Sequence, residues 1–117
     1  MRAYIIPEFG ASGAIAERPT PEPGEGQILV RVRAASLNAF DLTVREGFMK
    51  DHMEHRFPLI LGLDYAGSVA ATGPGVMGFQ VGDEVFGAVG KTHAGEGSFA
   101  TSELFVPGLT PPVRTAR

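Results

Sequence analysis

Alternating apolar and polar positions predict most of the β-structure in this chain. In residues 27–35 every second residue from Ile28 to Ala34 is apolar, while Arg31 and Arg33 lie between them. Successive side chains of a strand point to opposite faces, so this segment predicts a half-buried strand with one solvated face. Similar segments bring the predicted total to six or seven strands. They are Met1 to Ile6, Ala14 to Arg18, Tyr65 to Thr72, Glu84 to Val89 and Ser98 to Val106.

One short helix and several loops complete the pattern. Asn38 is a favourable N-cap and Gly47 a favourable stop, which predicts a helix over residues 39–46. Residues 48–57 are predicted to be a polar loop closed by a proline, and residues 90–97 a flexible stretch. Glycine and proline turn signals recur roughly every 8–12 residues, as in folds of many short strands. The predicted fold class is mainly β, a partly open β-barrel with one or two short helices.

Composition narrows the class of protein. The 117 residues contain 44% hydrophobic residues, enough for one domain with its own core. The net charge is −3 and the basic residues are scattered, which argues against nucleic-acid binding. No apolar run reaches the roughly 18 residues of a membrane span. The chain has no cysteine, so disulfides and thiolate ligands are excluded, and a cytoplasmic location is the expectation.

Two glycine patterns imitate a dinucleotide-binding fingerprint. Residues 73–78 match G-x-G-x-x-G and follow a predicted strand, and residues 95–100 match the variant that ends in alanine. Such a site needs a helix directly after the glycines, because the helix N-terminus faces the pyrophosphate. Gly82 and Asp83 leave no room for that helix after the first pattern, and the chain ends before a βαβ unit could close after the second. Both are therefore interpreted as turns.

The three histidines raise the question of a metal site. His52 and His55 are three residues apart, with Asp51 and Glu54 beside them, and a local helix could bring them together around zinc. No apolar pattern supports such a helix, so a solvated loop is the preferred interpretation and adventitious metal binding the alternative. His93 stands alone in a glycine-rich segment. No metal site is predicted.

Three ordered signatures carry the strongest functional information. They are Asn38-Ala39-Phe40-Asp41 with Arg45 and Gly47, then Gly62-Leu63-Asp64-Tyr65-Ala66-Gly67, and finally Gly82-Asp83-Glu84-Val85-Phe86-Gly87. In this order, with the proline-rich entry to the strand at residue 27, they resemble the N-terminal GroES-like domain of medium-chain dehydrogenases/reductases. The resemblance covers residues 1–106 and is nearest to the zinc-free branch, which includes NADPH-dependent quinone oxidoreductases and related enone reductases. Residues 107–117 are expected to be an irregular tail.

Within that superfamily, zinc alcohol dehydrogenases place cysteine and histidine where this chain has Asn38 and Leu63. An alkyl side chain cannot coordinate a metal, and an amide is a poor replacement for a thiolate. The resemblance therefore implies an enzyme without zinc. A carbonyl reduced in it would be polarised by hydrogen-bond donors rather than by a Lewis acid.

The resemblance also implies roles for individual residues. Asn38 lies at the family's amide near the nicotinamide and substrate, so it is both a catalytic and a cofactor-binding candidate. It could orient a carbonyl or a ribose hydroxyl, and it could also simply cap the helix. Asp41 is a candidate for holding Asn38 or Arg45 in place, or for a structural role at the helix start. Thr43 is a candidate in the same cleft, where many quinone reductases carry a tyrosine, and this departure weakens the quinone assignment.

Two neighbours of these candidates have structural interpretations. Asp64 replaces the acidic residue beside the metal of zinc relatives, and a structural hydrogen-bonding role is preferred for it. Tyr65 could line the cleft, but an aromatic residue in a strand is more often part of the core.

The implied function is that of a substrate-binding domain in a zinc-independent oxidoreductase, which uses NADP or NAD to reduce quinones, enones or related carbonyl compounds. Family members continue into a nucleotide-binding domain that these 117 residues do not contain, so the chain alone is expected to be inactive and not to bind the cofactor. The expected partner is a small-molecule substrate, and exposed apolar surface would favour a homodimer. The alternative is a free-standing, non-catalytic GroES-like binding or assembly module.

Overall fold

The computed structural model describes residues 1–88, 93–105 and 113–114, with side chains for these except residues 93, 103–105 and 113–114. Nine strands and one helix lie within the described residues. In chain order they are β1 Arg2–Ile6, β2 Ala14–Glu17, β3 Ile28–Ser36, α1 Ala39–Arg45, β4 Glu54–Ile60, β5 Asp64–Thr72, β6 Glu84–Ala88, β7 His93–Glu96, β8 Ser102–Phe105 and β9 Val113–Arg114.

The strands form two sheets that do not close on each other. One has the order β2-β1-β4-β7 and the other β8-β3-β5-β6-β9. All neighbours are antiparallel except β4 and β7. The predicted fold class, a mainly β and partly open barrel with a short helix, is confirmed.

Strand β3 follows the predicted alternation from residue 28 to residue 33 except at Leu29, which is buried as well. Ile28 and Val30 are buried, and Arg31 and Arg33 are exposed. The side chains of Ile28 and Val30 pack with Tyr65 and other residues of β5 and β6 into the core of the five-stranded sheet. Ala34 was predicted to share their face but is exposed. The register with β5 shifts between Val32 and Ala34, and such an irregularity bends the strand and ends the simple alternation.

Helix α1 begins and ends where the sequence predicts. Asn38 is its N-cap, in an extended backbone conformation, and Gly47 follows the C-cap with φ +86°. The N–H groups of Gly47 and Phe48 donate to Val44 and Thr43, which closes the helix in a Schellman arrangement. Val44 is buried against residues of β1 and β4, and burying such a side chain contributes about 2 kcal/mol. This packing fixes the helix start beside the end of β3.

The largest difference from the sequence prediction is at residues 54–60. The prediction of a polar loop from residue 48 to residue 57 is wrong, because strand β4 begins at Glu54. It pairs with β1 at Leu59 and Ile60, and with β7 at its two ends. Pro58 cannot donate a ladder hydrogen bond, and it falls where the pairing with β7 is interrupted, so the strand tolerates it.

Further differences lie in the C-terminal part. Residues 93–96, predicted to be flexible, form β7, and the last predicted strand is confined to residues 102–105. Residues 97–99 instead donate backbone hydrogen bonds to residues 60–62. The predicted absence of a regular element after residue 106 is wrong at Val113–Arg114, which pairs with β6. The rest of that predicted tail lies outside the described residues.

Candidate functional site

Three polar side chains meet where β3 ends, α1 begins and β5 starts. The Nδ2 group of Asn38 donates to Asp64 Oδ2 at 2.9 Å and to Ser36 Oγ at 3.4 Å. Ser36 Oγ in turn donates to the same carboxylate oxygen of Asp64 at 3.0 Å. Ser36 and Asp64 are direct partners in the register of β3 and β5, so the sheet itself brings them together. We call these three residues the amide cluster.

Asp41 connects the helix start to the loop before β5. It is 2% exposed, and its Oδ2 accepts from the backbone N–H of Asn38 at 2.9 Å. Its Oδ1 accepts from the N–H of Gly62 at 3.2 Å. Of the two partners that the sequence left open, Asp41 therefore holds Asn38, while Arg45 forms an ion pair with Glu46 at 2.8 Å.

Gly62 packs closely against Ser98, and Ser98 binds the backbone of Asp64. Gly62 has φ +112°, and a Cβ there would overlap Ser98 Oγ and approach the backbone nitrogen of Ser98 to 2.9 Å. Ser98 is 1% exposed, and its hydroxyl donates to the carbonyl oxygen of Asp64 at 2.7 Å. The roles of Ser36 and Ser98 were not predicted, because neither residue lies in one of the three signatures and their contacts with Asp64 span 28 and 34 positions of the chain.

The other sequence candidates occupy different environments. The hydroxyl of Thr43 donates to the carbonyl oxygen of Ala39 at 3.1 Å, one turn earlier on its own helix. Tyr65 belongs to the core of the five-stranded sheet and also lines a shallow groove beside Asp64, and burial raises the pKa of its hydroxyl above the ordinary value of 10.0. Leu63 lines a small cavity of about 60 Å³ together with Phe40 and Asp41.

The surroundings of the amide cluster are apolar or small. Leu37 is 66% exposed and Phe40 is 36% exposed, on either side of Asn38 in the chain. A shallow groove beside the cluster is lined by Ala34, Ala35 and Ala66 together with Ser36 and Asp64. An apolar surface with a few convergent polar groups is the usual form of a small-molecule site. The cluster can therefore orient a hydrogen-bonding group of a ligand whose remaining surface is apolar.

The histidine segment has a different geometry from a metal centre. His55 lies in β4, where its Nδ1 is 3.0 Å from the carbonyl oxygen of Met53 and its ring meets the edge of Phe9. His52 lies in the exposed turn before it. Among the described residues, no group of three or more His, Cys, Asp or Glu side chains could hold a metal ion. The side chain of His93 lies outside the described set.

The two glycine patterns are turn and strand geometry. Residues 73–78 form turns, with Gly75 and Gly78 at positive φ, and the described chain continues into β6 without an intervening helix. Gly95 lies in β7, where a Cβ would overlap the carbonyl oxygen of Arg56. The interpretation as a turn agrees with the structure for residues 73–78, whereas it is wrong for the start of the second pattern, because Gly95 and Glu96 belong to a strand. Across the described part of the chain, no helix is long and apolar enough to cross a membrane.

Comparisons with known proteins place this geometry in a wider context. Residues 24–107 match the family described as the alcohol dehydrogenase GroES-like domain. A dehydrogenase of Aspergillus niger is 37% identical over 114 residues, 95% of this chain and 33% of the relative. A chloroplastic quinone-oxidoreductase of Triphysaria versicolor is 34% identical over 98 residues, 81% of this chain and 30% of the relative. The chain thus spans about a third of the length of these curated relatives.

Solved structures resemble this chain along nearly its whole length. An alcohol dehydrogenase superfamily protein from Novosphingobium aromaticivorans matches with a TM-score of 0.82 and 34% identity, over 94% of this chain and 33% of that protein. A mycobacterial protein complexed with NADPH matches with a TM-score of 0.80 and 28% identity, over 100% and 35%. A cobalt- and zinc-bound alcohol dehydrogenase from Pyrobaculum aerophilum matches with a TM-score of 0.81 and 26% identity, over 99% and 42%.

Proposed function

This chain belongs to the alcohol dehydrogenase GroES-like domain family, and we propose that it is the substrate-binding domain of a zinc-independent oxidoreductase. The proposed enzyme uses NADPH or NADH to reduce quinones, enones or related carbonyl compounds. The family membership and the quinone-oxidoreductase relatives support an oxidoreductase, and the residues of the amide cluster support the finer assignment.

The observation that carries the proposal is the chemistry of two side chains. Asn38 and Leu63 stand where the resemblance places the cysteine and histidine ligands of zinc alcohol dehydrogenases. The nitrogen of Asn38 is already committed to Asp64, and Leu63 offers only an alkyl group beside an apolar cavity. Neither is a ligand that zinc prefers. This donor set supports a reaction that does not use a metal as a Lewis acid.

The fit of a nicotinamide nucleotide to these residues is partial. The half-buried amide of Asn38, with Leu37 and Phe40 beside it, suits the nicotinamide end, which combines a flat ring with a polar ribose. The described residues contain a single helix of seven residues, so they contribute no strand–glycine–helix turn for the pyrophosphate. When bound, the cofactor supplies the hydride. The chain's own contribution is to orient the reactants with Asn38 and to exclude water with its apolar surface.

Individual roles follow from the contacts. Asn38 orients the ligand, and Asp41 positions Asn38 through its backbone N–H. Thr43 remains a cleft candidate in this proposal, although its hydroxyl proton is used within α1. A cytoplasmic location and a homodimer formed through exposed apolar surface also remain part of the proposal.

A chimeric enzyme tests the proposed function directly. Residues 1–106 would replace the corresponding domain of the Triphysaria quinone-oxidoreductase, and NADPH oxidation would be followed with a quinone and an enone. We expect turnover that a metal chelator leaves unchanged, and a loss of about tenfold or more in Asn38→Ala, because an orienting contact is removed. Asp51→Asn changes an exposed residue, so it serves as the control and should retain full activity.

Two results would contradict the proposal. Activity that disappears with the chelator and returns with zinc would show a metal enzyme. A folded chimera with no turnover on either substrate, together with a ring-shaped oligomer of the 117-residue chain in sedimentation, would favour the non-catalytic assembly module. Calorimetry with NADPH should show no micromolar binding to the 117 residues alone.

A further inference from the structure

The hydrogen bonds of the amide cluster fix the direction of the Asn38 side chain. An amide group has two N–H donors and one oxygen acceptor, and the two ends are chemically opposite. The Nδ2 group of Asn38 donates to Asp64 at 2.9 Å and to Ser36 at 3.4 Å, so the nitrogen end of the amide is turned toward these two acceptors. The oxygen is at the other end of the amide, points away from both acceptors and has two lone pairs for a ligand.

The reverse orientation is excluded by the charge of Asp64. An ionised carboxylate accepts hydrogen bonds and cannot donate them. Turning the amide by half a revolution would put its oxygen against Asp64 Oδ2, where two acceptors would repel each other. It would also break a charge-assisted hydrogen bond, which is worth about twice a neutral one. The hydroxyl of Ser36 adds to this preference, because it donates to Asp64 and can then only accept from Asn38.

We propose that Ser36 and Asp64 are positioning residues that hold Asn38 with its oxygen toward the ligand, so that Asn38 receives a hydrogen-bond donor. This inference rests on the proposed function and narrows it. A ribose hydroxyl or the carboxamide N–H of a reduced nicotinamide nucleoside can donate to that oxygen. The carbonyl of a quinone or a simple enone cannot, so Asn38 orients the cofactor's nicotinamide end and another group contacts the substrate carbonyl.

The chain offers a clean spectroscopic test, because Asn38 is its only asparagine. Labelling the full chain with ¹⁵N-asparagine gives a single side-chain NH₂ group in the NMR spectrum. We expect its two protons to exchange with water about tenfold more slowly than in Asp64→Ala, which removes the hydrogen bond to a charged group and adds no second asparagine. Ser36→Ala should give a smaller increase in exchange rate, and Ser36→Thr, which keeps the hydroxyl, should restore the original rate.

A matched control separates this effect from general destabilisation. Asp83→Ala removes a carboxylate that accepts a backbone N–H at 2.9 Å in a distant turn, so it should leave the Asn38 signals unchanged. Equal exchange rates in the original chain, Asp64→Ala and Asp83→Ala would overturn the positioning role. Because the readout is the amide itself, this result does not depend on whether the chain turns over a substrate.

Titrations of the same sample with ligand well above the micromolar range, where weak contacts are still detected, test the polarity of the Asn38 amide. Reduced nicotinamide riboside has hydroxyl and amide donors, whereas 2-cyclohexenone has none. We expect the riboside to shift the Nδ2 resonance by polarising the amide through its oxygen, and cyclohexenone to leave it in place. A shift with cyclohexenone alone would overturn the proposed polarity. If the amide protons are protected and neither ligand acts, the assigned ligand fails and the positioning by Ser36 and Asp64 stands, while the activity of the chimeric enzyme decides the proposed function separately.

Discussion

Two segments of this chain share a local pattern and have different roles. Residues 62–67 and residues 82–87 each begin with a glycine at positive φ, contain an acid, and reach a second glycine five residues later. In the first segment Asp64 binds side chains from the end of β3 and the start of α1. In the second, Asp83 accepts the backbone N–H of Gln80 within its own turn. The first carboxylate organises a candidate site, and the second stabilises a turn.

The difference comes from what surrounds each glycine. The N–H of Gly62 is bound by the buried carboxylate of Asp41, and its Cα packs against Ser98. A Cβ at Gly82 would meet nothing within 4 Å. A glycine–acid signature therefore indicates backbone geometry in both places, and its chemical role depends on the side chains that the fold brings to the acid.

Replacing the first glycine of each segment with alanine should give the largest difference in the free energy of unfolding. Gly62→Ala introduces both a strained φ and an overlap with Ser98, so we expect a loss of about 4 kcal/mol in the free energy of unfolding. Gly82→Ala introduces the strain alone and should cost about 1 to 2 kcal/mol. Urea denaturation of both variants measures the difference. Equal losses would show that the packing around Gly62 contributes nothing.

Removing a carboxylate should have the next largest effect. Asp41→Asn leaves one of two buried N–H groups facing an amide nitrogen, so we expect a loss of about 2 to 3 kcal/mol. Asp83→Asn changes a carboxylate in a partly exposed turn, where one accepted bond comes from the N–H of Gln80, and should cost about 1 kcal/mol or less. Chemical denaturation at neutral pH gives both values. A larger loss in Asp83→Asn would reverse the comparison.

The residue that follows each acid gives the smallest expected difference between the segments, a change in the free energy of unfolding that depends on pH. Burial raises the pKa of Tyr65, whereas Glu84, which follows Asp83, is exposed. The folded chain keeps the Tyr65 proton at a pH where the unfolded chain has lost it. This contribution to stability is full below the unfolded pKa of about 10 and falls above it, by about 1.4 kcal/mol per pH unit.

Stability measured between pH 9 and about 11 tests this prediction. Tyr65→Phe should remove that part of the decline, because the titrating hydroxyl is gone. The matched control is Tyr4→Phe, whose ring is 36% exposed and which should keep the decline. If the stability of Tyr65→Phe and that of the original chain fall with the same slope against pH, the buried hydroxyl does not cause the decline.

The sequence predicted elements well where one face of a strand is buried. Alternation located β3 and β5, and the N-cap Asn38 with the following Gly47 located α1, because these signals act within a few residues. It failed at β4, where Pro58 and a polar composition indicate a loop. Pairing with β1 and β7 stabilises that strand, and contacts with residues about 35 or more positions away leave no local pattern.

The candidate site was predicted in part for the same reason. Asn38 and Asp41 were identified from a signature, and both lie at the helix start in mutual contact. The partnership of Asn38 with Asp64 and the involvement of Ser36 were not predicted, since the β3–β5 register decides them. Serine at the end of a strand carries no signal of its own.

By itself, the sequence determined a mainly β domain, a helix capped by Asn38, and the presence of an amide and an alkyl group at positions 38 and 63. These are properties of residue type and short-range pattern. Only the tertiary structure decided that Asp64 and Ser36 face Asn38 and that its amide nitrogen is turned toward both of them. The orientation of an amide side chain depends on which donors and acceptors lie beside it. Sheet register decides which residues those are, because it pairs positions that are dozens of residues apart in the chain.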